Sequence, residues 1–476
     1  MSNPDIEIPI LIIGGGPVGL ALSIDLGWRG VDCVMVERRD GSVGHPKMNQ
    51  VGNRTQEFCR RWGIGQKVRD LSIPEDFPRN IHFLTSITGY ELGRYEFPAR
   101  QDVVQPYSPE FMQRCSQIWF DPLLRDEAAE MPNVTQMFFT RLDRFEQDAG
   151  GVTAYVTDEK SGEEKVIRAQ YMIACDGAES EIRDTLGVEL VGDHGLSFNI
   201  NVFFKSTNHD VLFEKGRATM QWMFNEDGMW ADIVAINGKE YWRLSIMKLP
   251  LGTEITDDEA ADYIRKAVGQ DFEFEILSVL PWMRKRVVAD RYSVGRVHFA
   301  GDSVHQMSPT GGFGMNTGIQ EAMDLSWKLT AMLEGWGGDN LLASYDAERR
   351  PVAQMITDEG ARNFVQFSKL PNSPEIDQDT PEGEAFRKDF TQQLYDLQMD
   401  PYEFVNLAKD PAHRSAFDEL STELTRWRRA THDPLLNQDN VSRLKAEIDA
   451  IRQGNDFNKA KIGQWKYPEY FFKKGN

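Results

Sequence analysis

Cysteine is scarce in this chain: Cys33, Cys59, Cys115 and Cys175 are the four in 476 residues. They lie far apart with no Cys-x-x-Cys pair, so neither a disulfide framework nor a zinc site is expected, and no metal ligands are read; a reducing compartment fits. Positive charge is also in short supply. The 53 Lys and Arg face 74 Asp and Glu, a net charge of −21, and such a surface repels nucleic acid and anionic lipid. No stretch approaches the roughly 18 apolar residues of a membrane span. The short apolar run near the start follows Asp5 and Glu7 instead of a basic region, which is not the pattern of a signal peptide. Repeats and low-complexity tracts are lacking. The expectation is a soluble, cytoplasmic protein, too long for one simple core and built of two or three structural units. A hydrophobic content of 41%, with 11 Trp and 27 Phe, fills a large interior.

What is present begins with a glycine pattern. Ile10 to Ile13 read as a buried strand, and Gly14, Gly16 and Gly19 follow at the spacing of a dinucleotide fingerprint, with Pro17 between them. Leu20, Leu22, Ile24 and Leu26 continue on a helix, Val31 to Val36 form the next strand, and Glu37 lies about 20 residues past the glycines. Gly14 permits the tight turn, Gly16 lets a pyrophosphate approach the backbone, and Gly19 lets helix and strand pack closely. The phosphates meet free amides at the helix N-terminus. Glu37, with Arg38 beside it, is placed to accept both ribose hydroxyls, which favours a nucleotide without a 2′-phosphate.

Two further constellations follow. Tyr171 to Cys175 read as a buried strand running into Asp176, Gly177 and, seven residues after Asp176, Arg183. One reading is a turn with Asp176 as helix N-cap. In the other, Asp176 and Arg183 form a polar cluster at the mouth of a cofactor cleft, the arginine fixing the loop or contacting a nicotinamide nucleotide. Later, Gly295 to Ala300 read as a strand that delivers Gly301 and Asp302 to the carboxyl edge of the sheet, with His305, Pro309, Gly311, Gly312, Gly314, Met315 and Asn316 leading into a helix. A carboxylate at 302 can bond a ribityl hydroxyl. Glycine amides at the next helix start point at a flavin, whose reduced anionic form a helix dipole stabilises by about 1–2 kcal/mol.

These motifs, in this order, give the chain a resemblance to the group A FAD-dependent aromatic monooxygenases, of p-hydroxybenzoate hydroxylase and phenol hydroxylase type. The run from Pro281 to Tyr292, with Gly295 and Arg296, is similar to the branch containing 2,4-dichlorophenol 6-monooxygenase and polyketide hydroxylases. The resemblance covers about residues 1–360. It implies FAD as cofactor, NADH or NADPH and O2 as co-substrates, and hydroxylation of a small phenolic or related aromatic substrate through a flavin C4a-hydroperoxide. It carries Glu37 as ribose ligand, Gln117 as a cofactor-contacting glutamine, Asp176 as the residue serving FAD and nicotinamide nucleotide, Asp302 as ribityl ligand and Pro309 as the proline beside the flavin ring. Two positions depart from the family. Lys47 stands where an arginine usually covers the pyrophosphate, keeping the charge but losing the bidentate fork. Phe313 stands where a polar residue is frequent. His305 is read either as a base or as a histidine bonded to backbone within the motif. An epoxidase or other tailoring oxidoreductase of the same fold is the competing reading, as is a non-catalytic FAD-fold binding protein; the tryptophan-rich halogenase motif is not present.

The expected architecture is α/β. A Rossmann-like FAD-binding domain (1–75, 111–190 and 290–362) interleaves with an antiparallel-sheet substrate domain (76–110 and 191–289), followed by a mostly helical C-terminal extension over 363–476. Helices are expected at 53–62, 113–131, 257–268 and 316–334, and a hairpin around Lys160 to Gly162. The tail from about 390 to 440 resembles the C-terminal segment of type I sulfatases, yet none of the four cysteines has the context of a sulfatase nucleophile. The extension is read as structural, docking on the body or joining two copies into a homodimer.

Overall fold

The structure is a computed structural model and describes residues 4–97, 107–338, 340–368, 370–390 and 411–430. The first sheet grows from the apolar runs. Ile10, Leu11 and Ile12 are fully buried on both faces of the strand Ile6–Ile13, as befits a central parallel strand. It pairs in parallel with Cys33–Val36 on one side and Glu164–Ala174 on the other. Val134–Met137 extends the sheet beyond Cys33–Val36, and Val297–Phe299 extends it beyond Glu164–Ala174. Three neighbouring strands from distant parts of the chain therefore end side by side, with Ile13, Ala174 and Phe299 in register. Gly14, Cys175 and Ala300 leave the sheet at one edge, where ligands of open α/β sheets bind. The helix Pro17–Trp28 packs against Gln117–Ala129 and Gly314–Leu333.

The second sheet has eight strands, in the order His305–Gln306, Glu275–Ala289, Leu190–Lys205, Tyr241–Leu249, Gly228–Ala235, Met220–Asn225, Ile81–Leu84 and Glu91–Tyr95. All pairs are antiparallel except Met220–Asn225 with Ile81–Leu84. Ile200, Val202, Phe204, Ile233, Leu244 and Ile246 join a core with Ile264, Ala267 and Val268 of the helix Asp257–Val268. That helix opens on a capping box between Thr256 and Glu259. Alternation along the strands sends Asn201, Phe203, Asp232, Arg243 and Ser245 to the opposite face.

Several expected elements shift. The helix expected over 113–131 runs Gln117–Ala129. Residues before it are drawn into a bridge in which Gln113 and Val51 exchange backbone hydrogen bonds of 2.8 and 2.9 Å. The strand expected at 171–175 is the end of the longer Glu164–Ala174, whose first half pairs with Gly151–Asp158 as the expected hairpin. Glu275–Ala289, which flanks Leu190–Lys205 along most of its length, has no strand signature in sequence. Pro281 and the charges Arg284, Lys285 and Arg286 interrupt its apolar alternation. The boundary placed between 362 and 363 falls inside the helix Leu341–Ser368. The first compact unit reaches Thr391, and Leu370, Ile376, Phe386 and Phe390 pack with Phe83, Leu92 and Trp222 of the second sheet. A second unit begins at Gln392, and its described part is mainly the helix Arg414–Ala430. Most of the 390–440 segment that resembles sulfatases lies outside the described residues.

Candidate cofactor site

The first turn after Ile13 is fixed by backbone geometry. Gly14 has φ 111° and donates its amide to the carbonyl of Val36 at 2.8 Å. A Cβ at Gly14 would run into the Cys175 carbonyl, and one at Gly19 would run into the carbonyl of Gly14. Gly16 is different: nothing lies within 4 Å of where its Cβ would be. It is the N-cap of Pro17–Trp28 with no side-chain cap, so the first-turn amides face open space. Glu37 accepts from the amides of Gly15 and Arg39, both at 2.8 Å, so its carboxylate is aimed by the glycine turn it follows. Arg38 is exposed next to it.

The loop around Lys47 borders this turn. Its backbone amide donates to Gln117 Oε1 at 3.1 Å, and Gln117 Nε2 donates to Asp121 at 2.9 Å. Gln117 thus ties the Lys47 loop to the helix Gln117–Ala129. Burial pushes the Asp121 carboxyl up to about 7, although the Gln117 bond opposes this. Lys47 itself is exposed, and its ammonium is near enough to Asp302 to favour that carboxylate's charged form.

Asp176 and Asp302 occupy the ends of the two neighbouring strands. Asp176 Oδ2 accepts from Ser180 Oγ at 2.8 Å, while its Oδ1 is buried with no partner. Desolvation raises its pKa against those bonds. Arg183 is 7% exposed and donates to the carbonyls of Ala178 and Ser303 at 3.0 and 3.3 Å. It joins the Asp176 loop to the Asp302 loop, the loop-fixing one of its two expected roles. Asp302 has a solvent-reachable side chain, yet protein surrounds it closely enough for desolvation to raise its pKa. Both hold for a carboxylate on the wall of a deep cleft.

The expected base, His305, does not reach that cleft. Its side chain is wholly buried and its Nε2 lies 3.1 Å from Glu321 Oε2, which also accepts the Gly301 amide at 2.9 Å. The partner is a carboxylate and not the backbone expected. Burial lowers the His305 pKa, but Glu321 and Asp302 outweigh it and the net direction is upward. His305 and Glu321 underpin the turn that presents Asp302. Asn316 is similarly committed to protein: Oδ1 accepts from the Gly52 amide and Thr55 Oγ1, both at 2.7 Å, and Nδ2 donates to Gln50 and Gly312 carbonyls at 3.0 and 2.8 Å. The helix Gly314–Leu333 has no side-chain cap, so the amides of Gly314 and Met315 remain open beside it. Pro309 is exposed on the connecting loop, with Gly312 behind it packed on Gln50.

One arginine that sequence did not single out links this loop to the second sheet. Arg284 is 3% exposed and donates to Ser308 Oγ at 2.5 Å, Thr310 Oγ1 at 3.3 Å and Ser197 Oγ at 3.2 Å. It grips both neighbours of Pro309. Neither Arg284 nor Glu321 carries a local signal, because each acts on a residue reached only through tertiary pairing. The site fits FAD on the structure's own terms. Two uncapped helix starts, an open Gly16, an orphaned Asp176 oxygen and a cleft-lining Asp302 converge on one sheet edge.

Residues 7–360 match the family described as FAD binding domain. A Streptomyces halstedii protein assigned as a polyketide hydroxylase is 37% identical over 372 residues, covering 76% of this chain but 66% of its own length, just under two thirds. The 4-methyl-5-nitrocatechol 5-monooxygenase of a Burkholderia species is 31% identical over 395 residues, 80% of this chain and 70% of the relative. Among solved structures, the rebeccamycin biosynthetic enzyme RebC with reduced flavin superimposes with a TM-score of 0.76 at 34% identity, covering 86% of this chain and 76% of that one.

Proposed function

Since this chain belongs to the FAD-binding-domain family, we propose that it is a single-component monooxygenase that uses NADH or NADPH and O2 to hydroxylate a phenolic or related aromatic ring. The observation that carries the reading is the convergence of Gly16, Asp176 and Asp302 at the carboxyl ends of three adjacent parallel strands. Relatives named as a polyketide hydroxylase and a catechol monooxygenase support the same chemistry. Bound FAD would take electrons from the nicotinamide nucleotide and, with O2, supply the oxygen inserted into the ring.

The chain's own residues bind, orient and exclude water. The amides after Gly16 would hold the pyrophosphate, with Lys47 as a point charge beside them. Glu37 would take the ribose hydroxyls and Asp302 the ribityl chain. The open amides of Gly314 and Met315 would favour negative charge on the reduced ring. Asp176, whose Oδ1 has no partner, would serve the nicotinamide side, and Arg183 holds its loop to the Asp302 loop. Arg284 fixes Ser308 and Thr310, and so the position of Pro309. His305 holds its proton against Glu321 behind the cleft, which leaves substrate deprotonation to another group. The separated cysteines, three of them buried and all free, fit a reducing cytoplasm. No helix among the described residues is long and apolar enough to cross a membrane.

Stopped-flow reduction of the yellow protein by NADH and by NADPH, with and without a panel of phenols, tests this proposal. At least one phenol should accelerate reduction and return a product carrying one oxygen from 18O2. Reduction indifferent to every ring, with hydrogen peroxide as the sole oxygen product, would refute hydroxylation.

A further inference from the structure

The helix Gln117–Ala129 carries a carboxylate that the cofactor site leaves unused. Asp121 is 4% exposed and lies one turn after Gln117. Its Oδ2 accepts from Gln117 Nε2 at 2.9 Å, and its Oδ1 is buried without a partner. Among the described residues no cation pairs with it. The titratable group beside it is Cys115, whose thiol burial pushes up to about 12, with Asp121 adding to the rise. A buried carboxylate without a counter-charge is costly, and an apolar side chain would fill the position at less cost.

What Asp121 reaches is the Lys47 loop. The Gln117 backbone amide donates to the Met48 carbonyl at 3.0 Å, and the Lys47 amide donates to Gln117 Oε1 at 3.1 Å, so the loop is seated on the first turn of this helix. The two ends of the Gln117 side chain are not interchangeable. A backbone N–H only donates, so the oxygen must face Lys47 and the NH2 group must face Asp121. Asp121 must therefore accept, and an ionised carboxylate does nothing else. Gaining a proton changes this. Oδ1 offers the proton no acceptor, so it belongs on Oδ2, where it meets the Gln117 NH2, donor against donor. Turning the amide over satisfies Asp121 and moves the clash to the Lys47 amide. Either way one bond of the relay is lost. Burial raises the Asp121 carboxyl to about 7, against the Gln117 bond, so both forms are populated near neutral pH.

We propose that Asp121 is a positioning residue for FAD: as a carboxylate it orients the Gln117 amide and so holds the Lys47 loop against the pyrophosphate, and on taking up a proton it lets the loop go. The proposal rests on the cofactor placement above, in which Lys47 faces the pyrophosphate, and adds the group that controls it. FAD should bind more tightly above neutral pH than below it. Direct repulsion between the Asp121 carboxylate and the pyrophosphate acts in the opposite sense and does not need Gln117.

The test titrates apoprotein with FAD between about pH 6 and about pH 8.5 at constant ionic strength, followed by flavin fluorescence, and records the thermal midpoint without FAD. The dissociation constant of the parent should rise by about three- to tenfold from the alkaline to the acid end. Asp121→Asn still accepts from Gln117 but does not titrate. It should bind FAD as the parent does at the alkaline end and keep that affinity at the acid end. Its apoprotein midpoint at the alkaline end should not fall, since a buried charge has been removed. Asp121→Leu should bind FAD about three- to tenfold more weakly at the alkaline end. Added to Gln117→Ala, it should cost nothing further, because the two act in series. If Asp121→Leu fails to fold, Asp121→Asn and Gln117→Ala carry the comparison. A parent constant that does not change with pH overturns the proposal. So does a change of opposite sign, or one that survives undiminished in Asp121→Asn or Gln117→Ala. Lys47→Ala separates this inference from the placement beneath it. FAD affinity indifferent to Lys47→Ala means that the loop does not face the pyrophosphate, and the placement fails. FAD weakened by Lys47→Ala, with a parent indifferent to pH, fails this inference alone.

Discussion

Asp302 and Lys47 act on one another across the cleft, and single substitutions separate their parts. Desolvation works against the Asp302 carboxylate, while Lys47 works for it. On the proposed assignment a charge-assisted bond from ribityl to Asp302 would be worth about 1.5–3 kcal/mol, so Asp302→Ala should weaken FAD binding by roughly ten- to over a hundredfold. Lys47→Ala should cost about 1–2 kcal/mol of FAD binding, less at high salt because the ammonium is exposed and screened. Lys47→Arg should bind FAD as tightly as the parent or more tightly. Titration of apoprotein with FAD at two salt concentrations measures all three. An unchanged dissociation constant in Asp302→Ala would reduce the Gly301–Asp302 turn to a scaffold element.

The helix Gly314–Leu333 illustrates how an element is placed by its first turn. It lacks a side-chain cap, and its anchor is Asn316, two residues inside. That one amide satisfies a backbone amide and a hydroxyl from the helix Asn53–Arg61 and its approach, and two carbonyls of the flanking loops. Asn316→Ala leaves buried groups without partners, and should destabilise the protein by about 2–4 kcal/mol while loosening FAD. Urea unfolding of holoprotein and apoprotein gives both effects. A loss confined to FAD affinity, with the apoprotein midpoint unmoved, would mean that Asn316 serves the cofactor and not the helix.

At the level of the whole molecule, acid stability has a marked contributor in His298 on the strand Val297–Phe299. It is 2% exposed, with Nδ1 at 2.7 Å from Ser293 Oγ and Nε2 buried without a partner. Burial holds its pKa down to about 4. An unfolded histidine titrates near about 6.5, so below that value the unfolded chain takes up a proton that the folded chain refuses. The contribution is therefore complete above about pH 6.5 and disappears as pH falls toward 4, a loss of about 2–3 kcal/mol by pH 4.5. The difference in unfolding free energy between the parent and His298→Gln should shift by that amount, in favour of the variant, between pH 7.5 and 4.5. A constant difference would show that folded His298 accepts a proton as readily as the unfolded chain.

The sequence alone determined the elements whose cause is local. Gly14, Gly16 and Gly19 spell out a turn that other residues cannot make, and the apolar run before them can be little else than a buried strand. The strand signals from Ser197 to about Leu249 likewise prescribe strands with one apolar face. These features gave the cofactor, the fold class and the positions of Glu37, Asp176 and Asp302. Tertiary structure decided what depends on distant partners. It drew residues 113–116 away from the expected helix because Val51 supplied a bridge. It made a strand of Glu275–Ala289, whose proline and arginines hide the alternation, because Leu190–Lys205 offered a long edge to pair with. It turned His305 inward onto Glu321, gathered Arg243 and Arg284 around Asp232, and set Arg114 near Arg243. A local pattern records the conformation a segment prefers, whereas a buried charge acquires its meaning only from the groups that surround it.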